Sequence, residues 1–94
     1  MTDRRAVHVS ITGRVQGVWY RAWTAEEASD LGIDGWVRNR RDGTVEAVFA
    51  GVRKDVETML MLCRSGPPLA WVDRLHIEEY ADDVGTGFEQ RQTI

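Results

Sequence analysis

The chain contains one cysteine, Cys63, so no disulfide can form within it, and a reducing compartment, the cytoplasm, is the expected setting. Its two prolines stand side by side at Pro67-Pro68 and mark a single break. No apolar run approaches the roughly 20 residues that span a bilayer. The start, Met1-Thr2-Asp3-Arg4-Arg5, is polar and leads directly into a strand-like pattern, unlike a signal peptide. Positive charge is in short supply: 12 Lys and Arg stand against 15 Asp and Glu, a net charge of -3. A generic grip on nucleic acid or on an anionic membrane needs the opposite sign, so neither partner is expected. There is no repeat, linker or low-complexity segment. The 94 residues, 43 % of them hydrophobic, suit one compact domain. It is expected over residues 6–94, with 1–5 as a flexible N-terminus.

What is present is a clear change of period along the chain. Val7, Val9 and Ile11 alternate with His8, Ser10 and Thr12, which predicts a half-buried strand. A loop from Arg14 to Tyr20 follows, then a helix from about Arg21 to Leu31 whose inner face is Tyr20, Thr24, Ala28 and Leu31. Gly32 is a natural stop. Gly35 to Asn39 reads as a second strand. Asp42-Gly43 predicts a type I′ hairpin turn, with both residues at positive φ. Thr44 to Ala50 returns with Val45, Ala47 and Phe49 on one face. Val52, Val56, Met59, Leu60 and Cys63 recur at intervals of three and four and predict a second amphipathic helix, ended by Ser65-Gly66-Pro67-Pro68. A fourth strand lies within Ala70 to Tyr80, and a short last strand around Phe88 to Thr93. The order β-α-β-β-α-β plus a terminal strand, with right-handed crossovers, predicts a ferredoxin-like α+β sandwich: an antiparallel sheet with both helices on one face. That fold hosts many functions, so function has to come from a site.

The informative stretch is Gly13-Arg14-Val15-Gln16-Gly17-Val18-Trp19-Tyr20-Arg21. It joins a strand to a helix start, where unpaired backbone N–H groups and the helix dipole favour anions. Gly17 allows a turn that converges successive N–H groups into a nest. Arg21 adds a permanent charge with a planar fork suited to phosphate oxygens. The loop is not a Walker motif, since no Gly-Lys-Ser/Thr ends it, and its glycine spacing is not the dinucleotide fingerprint. The residues alone leave a second reading open, because such junctions are also ordinary punctuation between strand and helix.

The segment Gly13 to Arg21, with Thr24 after it, resembles the signature loop of the acylphosphatase family. Gly35-Trp36-Val37-Arg38-Asn39 resembles the family's second signature, and Asp42-Gly43-Thr44-Val45-Glu46 continues it. The similarity runs from about Val7 to Thr93. It implies hydrolysis of acyl phosphates to a carboxylate and inorganic phosphate, with no metal and no cofactor, by a monomer. By position, Arg21 resembles the phosphate-binding arginine, Asn39 the water-orienting asparagine, and Val15, Gln16, Gly17, Val18, Trp19 and Tyr20 the phosphate-binding loop. Two positions depart from the family pattern. Gln90 stands where an apolar residue is usual, which bears on packing of the last strand. Arg40 replaces a small or hydroxyl residue, which bears on substrate choice.

The residue types suit that reaction. An acyl phosphate already carries a good leaving group, so the protein must mainly hold the phosphoryl group and place a water. Asn39 can orient a water by donating and accepting hydrogen bonds, but has no useful basicity. Plainer readings apply elsewhere. His8 and His76 lie in strands, outside both motifs. Cys63 fits a helix core face. Thr24 is expected to bond back to the Tyr20 carbonyl. Arg14, Arg38, Arg40 and Arg41 form either a positive rim or an ordinary charged hairpin. Two other functions fit the topology less well. One is a non-catalytic anion-binding regulatory domain. The other is an RNA-binding sandwich, which needs exposed aromatics on the central strands.

Overall fold

A computed structural model describes residues 3–94; Met1 and Thr2, part of the expected flexible N-terminus, lie outside the described residues. The elements are β1 (Arg4–Arg14), α1 (Tyr20–Asp30), β2 (Asp34–Asn39), β3 (Val45–Val52), α2 (Arg53–Ser65), β4 (Trp71–Glu79) and β5 (Phe88–Gln90). Of the segment 1–5, Arg4 and Arg5 stand in β1, opposite Val52 and Gly51.

The five strands form one sheet in the order β4-β1-β3-β2-β5. Alternation decides which side chains meet the helices. Val7, Val9 and Ile11 from β1, Val45, Ala47 and Phe49 from β3, and Val56, Met59 and Cys63 from α2 are all fully buried in one core. On α1, Tyr20, Thr24 and Ala28 complete it, and Gly32 takes the left-handed conformation just past the helix, at φ 70°.

The sheet is mixed, and this corrects the expectation of an antiparallel one. β1–β3, β1–β4 and β2–β3 pair antiparallel, but β5 runs parallel to β2. The chain leaves β4 at the end of the sheet where β2 begins. The connection from Tyr80 to Gly87 passes along that end to the far edge, so β5 enters beside β2 and travels with it. β5 is also shorter than the strand expected over 88–93.

The β2–β3 hairpin differs in its turn. Only Gly43 of the pair is left-handed, at φ 94°. The Gly43 N–H closes a β-turn on the Arg40 carbonyl at 3.1 Å. Asp42 instead turns its carboxylate back to accept from the Thr44 N–H at 2.9 Å and the Thr44 hydroxyl at 2.6 Å. An extra residue in the loop thus satisfies the glycine requirement at one position.

The face of the sheet away from the helices is covered by its own side chains. Trp36 lies over Val48, with the guanidinium groups of Arg38 and Arg91 at 4.6 and 4.7 Å from its ring. Beside it, Glu46 is 5 % exposed and hydrogen-bonded to Arg38 and to His8, the latter at 2.7 Å. β3 is therefore buried on both faces, which its alternation of apolar residues on one side did not indicate.

Candidate active site

Parallel β1, β2 and β5 end together, and α1 begins at that same end of the sheet. A recess of about 390 Å3 opens there, lined by Val15, Gln16, Gly17, Trp19, Tyr20, Arg21, Ala22, Asn39 and Gln90.

The loop from Val15 to Trp19 is held from beneath by its apolar side chains. Val15, Val18 and Tyr20 are buried in the core. The Tyr20 hydroxyl donates to the Cys63 carbonyl at 2.7 Å, and its ring meets that of Trp23 edge-on. Burial pushes the Tyr20 phenol well above its ordinary range, so it stays neutral. Gly17, at φ 73°, and Trp19, at φ 67°, are both left-handed. Among the described residues Trp19 is the one non-glycine residue at positive φ, a conformation that costs about 1–2 kcal/mol. Such strain is held by its surroundings: Val18 and Tyr20 on either side are anchored in the core, while the Trp19 side chain itself is 79 % exposed.

This backbone leaves its donors unspent. Among the described residues no N–H from Gln16 to Ala22 finds a backbone acceptor; the first helical bond runs from Trp23 N–H to the Trp19 carbonyl at 3.0 Å. The start of α1 has no side-chain cap and no acidic residue in its first turn. Donors without a backbone partner therefore lie beside the recess at the positive end of a helix. Arg21 stands among them and makes no ion pair with a carboxylate of the described residues. The recess lining includes no Asp, Glu, His or Cys. Among the described residues no three such side chains gather anywhere to hold a metal ion.

Asn39 reaches the recess from the end of β2. Its Oδ1 is buried and is, among the described residues, the one buried side-chain polar atom with no hydrogen-bond partner. Leaving such an atom unpaired costs about 1–3 kcal/mol, which a structure tolerates chiefly where the group has another use. The neighbouring arginines turn away. Arg38 is hydrogen-bonded to Glu46, and the Arg40 guanidinium lies 3.9 Å from the same carboxylate. Burial acts to raise the Glu46 carboxyl, but hydrogen bonds from His8 and Arg38 and the charges of Arg38 and Arg40 outweigh it and hold it below the usual carboxylate range. Neither these two arginines nor Arg14 or Arg41 lines the recess, so its positive character comes from Arg21 and the backbone.

Most of this lining falls within the two sequence blocks. Arg21, Asn39, Val15, Gln16, Gly17, Trp19 and Tyr20 come together; Val18 does not line the recess, because its side chain enters the core. The Thr24 hydroxyl donates to the Tyr20 carbonyl at 2.7 Å, the steadying bond expected of it. Cys63 is fully buried, and burial pushes its thiol up to about 12, which makes it an inert core residue. Two further features complete the site. The Gln16 amide ties the loop to the hairpin, donating to the carbonyls of Arg40 at 2.7 Å and Thr44 at 2.8 Å. Ala22 and Gln90 also line the recess. The signal for Gln90 was present: counting by two from Phe88 puts both residues on the same face of the strand.

Fold and recess together define a ferredoxin-like α+β sandwich with amide and guanidinium groups lining a recess at the start of α1. The acylphosphatase family model matches residues 7–90. An acylphosphatase of Rhizorhabdus wittichii is 51 % identical over 92 residues, covering 98 % of this chain and 93 % of the relative. One of Rhodospirillum rubrum is 55 % identical over 86 residues, covering 92 % and 94 %. The solved structure of an acylphosphatase from Coxiella burnetii superposes with a TM-score of 0.91 at 32 % identity, covering 95 % of this chain and 94 % of that one. The chain belongs to the acylphosphatase family, and its activity is the hydrolysis of acyl phosphates to a carboxylate and inorganic phosphate.

Proposed function

We propose that the phosphoryl group of the acyl phosphate sits in the loop Val15–Tyr20 against Arg21, and that Asn39 orients the water that attacks it. The observation that carries this reading is the run of N–H groups without backbone partners from Gln16 to Ala22, beside a recess lined by Arg21 and by Asn39 with its buried, unpartnered Oδ1. The Arg21 fork and the converging N–H groups stabilise the charge spread over the equatorial phosphate oxygens. Water oxygen bonds to phosphorus as the bond from phosphorus to the acyl oxygen breaks. The carboxylate leaves with that electron pair, and both water hydrogens end on phosphate oxygens. Asn39 carries no proton away; it holds the water by accepting and donating hydrogen bonds.

The reaction proceeds on protein groups alone. The recess lining offers no carboxylate, imidazole or thiol, and its one charged group, the Arg21 guanidinium, repels a cation. The enzyme works as a single domain and a monomer in the cytoplasm, consistent with its lone buried thiol. Among the described residues no helix is long and apolar enough to cross a membrane. Turnover of benzoyl phosphate in the presence and absence of EDTA tests the metal-free reading. Equal rates are expected; loss of activity in EDTA, restored by a divalent ion, contradicts it.

A further inference from the structure

We infer that Gln90 reads the acyl half of the substrate, and that the recess is built for acyl phosphates bearing a hydrogen-bonding group, an amide or hydroxyl, beyond the carbonyl. The inference rests on the proposed placement of the phosphoryl group and adds the other half of the molecule to it.

The recess has a limited set of walls. The loop N–H groups and Arg21 hold the phosphoryl oxygens, and Asn39 holds the water. What remains for the acyl group is the Trp19 side chain at the rim, Ala22 on the first turn of α1, and Gln90 at the end of β5. The register places Gln90 firmly. In the parallel β2–β5 ladder Gly35, Trp36 and Val37 stand beside Phe88, Glu89 and Gln90. Phe88 points to the helix side, stacked on Phe49 at 5.7 Å between ring centres. Gln90, two residues on, projects to that same side at the sheet end where the recess opens, and the Arg91 N–H donates to the Val37 carbonyl at 2.8 Å to hold the backbone there.

The Gln90 amide makes no hydrogen bond to any other described residue, whereas Gln16 across the recess spends both of its side-chain N–H donors on the hairpin. Gln90 therefore offers a free donor and a free acceptor on a wall otherwise made of an indole and a methyl group. An aryl or alkyl acyl group finds apolar cover from Trp19 and Ala22. One that also carries an amide or hydroxyl gains a partner in Gln90. A single hydrogen bond of this kind is expected to change kcat/KM about three- to tenfold.

The test compares benzoyl phosphate with 3-carbamoylbenzoyl phosphate, whose meta amide cannot cyclise onto the anhydride, on the wild type, Gln90→Leu and Gln90→Asn. The wild type is expected to favour the carbamoyl substrate, and Gln90→Leu to reverse the preference, shifting the ratio of kcat/KM values about three- to tenfold. Gln90→Asn, with the same amide on a shorter stem, retains part of it. Inhibition by inorganic phosphate is read alongside and is expected to follow Arg21, not residue 90. A ratio unchanged by Gln90→Leu overturns the inference while leaving the phosphoryl site intact. An equal fall in kcat on both substrates also overturns it, because Gln90 then serves the water or the phosphoryl group. Phosphate inhibition that persists in Arg21→Ala instead strikes the underlying placement. Thermal unfolding of each variant separates these outcomes from a folding defect.

Discussion

The side-chain amide of Gln16 donates to the backbone carbonyl of Arg40 at 2.7 Å, and to that of Thr44 at 2.8 Å. One residue of the loop therefore fixes the loop against the hairpin that begins just after Asn39. Gln16→Ala removes both bonds and is expected to destabilise the protein by about 1–2 kcal/mol. It should also lower kcat more than that loss of stability explains, because loop and asparagine lose their common reference. Gln16→Glu should be worse, since a carboxylate faces two carbonyls and places negative charge beside the phosphoryl group. Denaturant unfolding and benzoyl phosphate kinetics on the two variants check this; a Gln16→Ala enzyme with wild-type kcat contradicts it.

Arg21 is the charged half of the recess. Arg21→Ala should remove most phosphate binding and turnover with the fold intact, because the side chain makes no ion pair within the protein. Arg21→Lys should rescue only part, since a point charge cannot reproduce a two-pronged contact. By linkage, inorganic phosphate at 100 times its Kd raises stability by about 2.7 kcal/mol, so the wild type should melt later in phosphate and Arg21→Ala should not. Equal thermal shifts in the two proteins would remove the arginine from the site.

Glu46 gives a stability signature with a definite sign. Its carboxyl is held below the ordinary 4.5 by His8, Arg38 and Arg40. The stabilisation is therefore fully present above about pH 4.5 and disappears as pH falls through the lower folded value. Glu46→Gln is expected to lose about 1–3 kcal/mol at neutral pH, with the gap to wild type closing in acid. Urea unfolding from pH 7 to pH 3 measures it, and a gap that stays constant across that range contradicts the assignment.

Much of this molecule is legible in its sequence, and the parts that are not share a cause. Elements with one buried face declare themselves: Val7, Val9 and Ile11 mark β1, and Val56, Met59 and Cys63 mark α2, because a two- or three-to-four-residue period survives in the text. The recess residues Arg21, in the first turn of α1, and Asn39, at the end of β2, lie within the two signature blocks. Long-range pairing is not written locally. That β5 runs parallel to β2 follows from where the chain leaves β4, and that Glu46 is buried follows from Arg38 and His8 arriving from neighbouring strands. The left-handed backbone at Trp19 was equally hidden, since nothing in a tryptophan announces positive φ. Asp42-Gly43 announced a hairpin correctly and its turn type incorrectly, because one more loop residue relieved the aspartate.

The central claim is the division of labour between Arg21, which holds the phosphoryl group, and Asn39, which places the water. Its most direct test is the pair of values kcat for benzoyl phosphate and the inhibition constant of inorganic phosphate, measured on Asn39→Ala beside the wild type. In the proposed arrangement the Asn39 amide contacts the attacking water and not the bound anion, so kcat should fall on the order of 100-fold or more while phosphate inhibition stays near its wild-type value. Asn39→Asp should not restore the rate, because it lacks the amide donor and its charge opposes the phosphoryl group. If Asn39→Ala weakens phosphate binding as much as turnover, Asn39 is a substrate-binding residue. If Asn39→Asp turns over as fast as the wild type, a general base replaces the oriented water; either result contradicts the account.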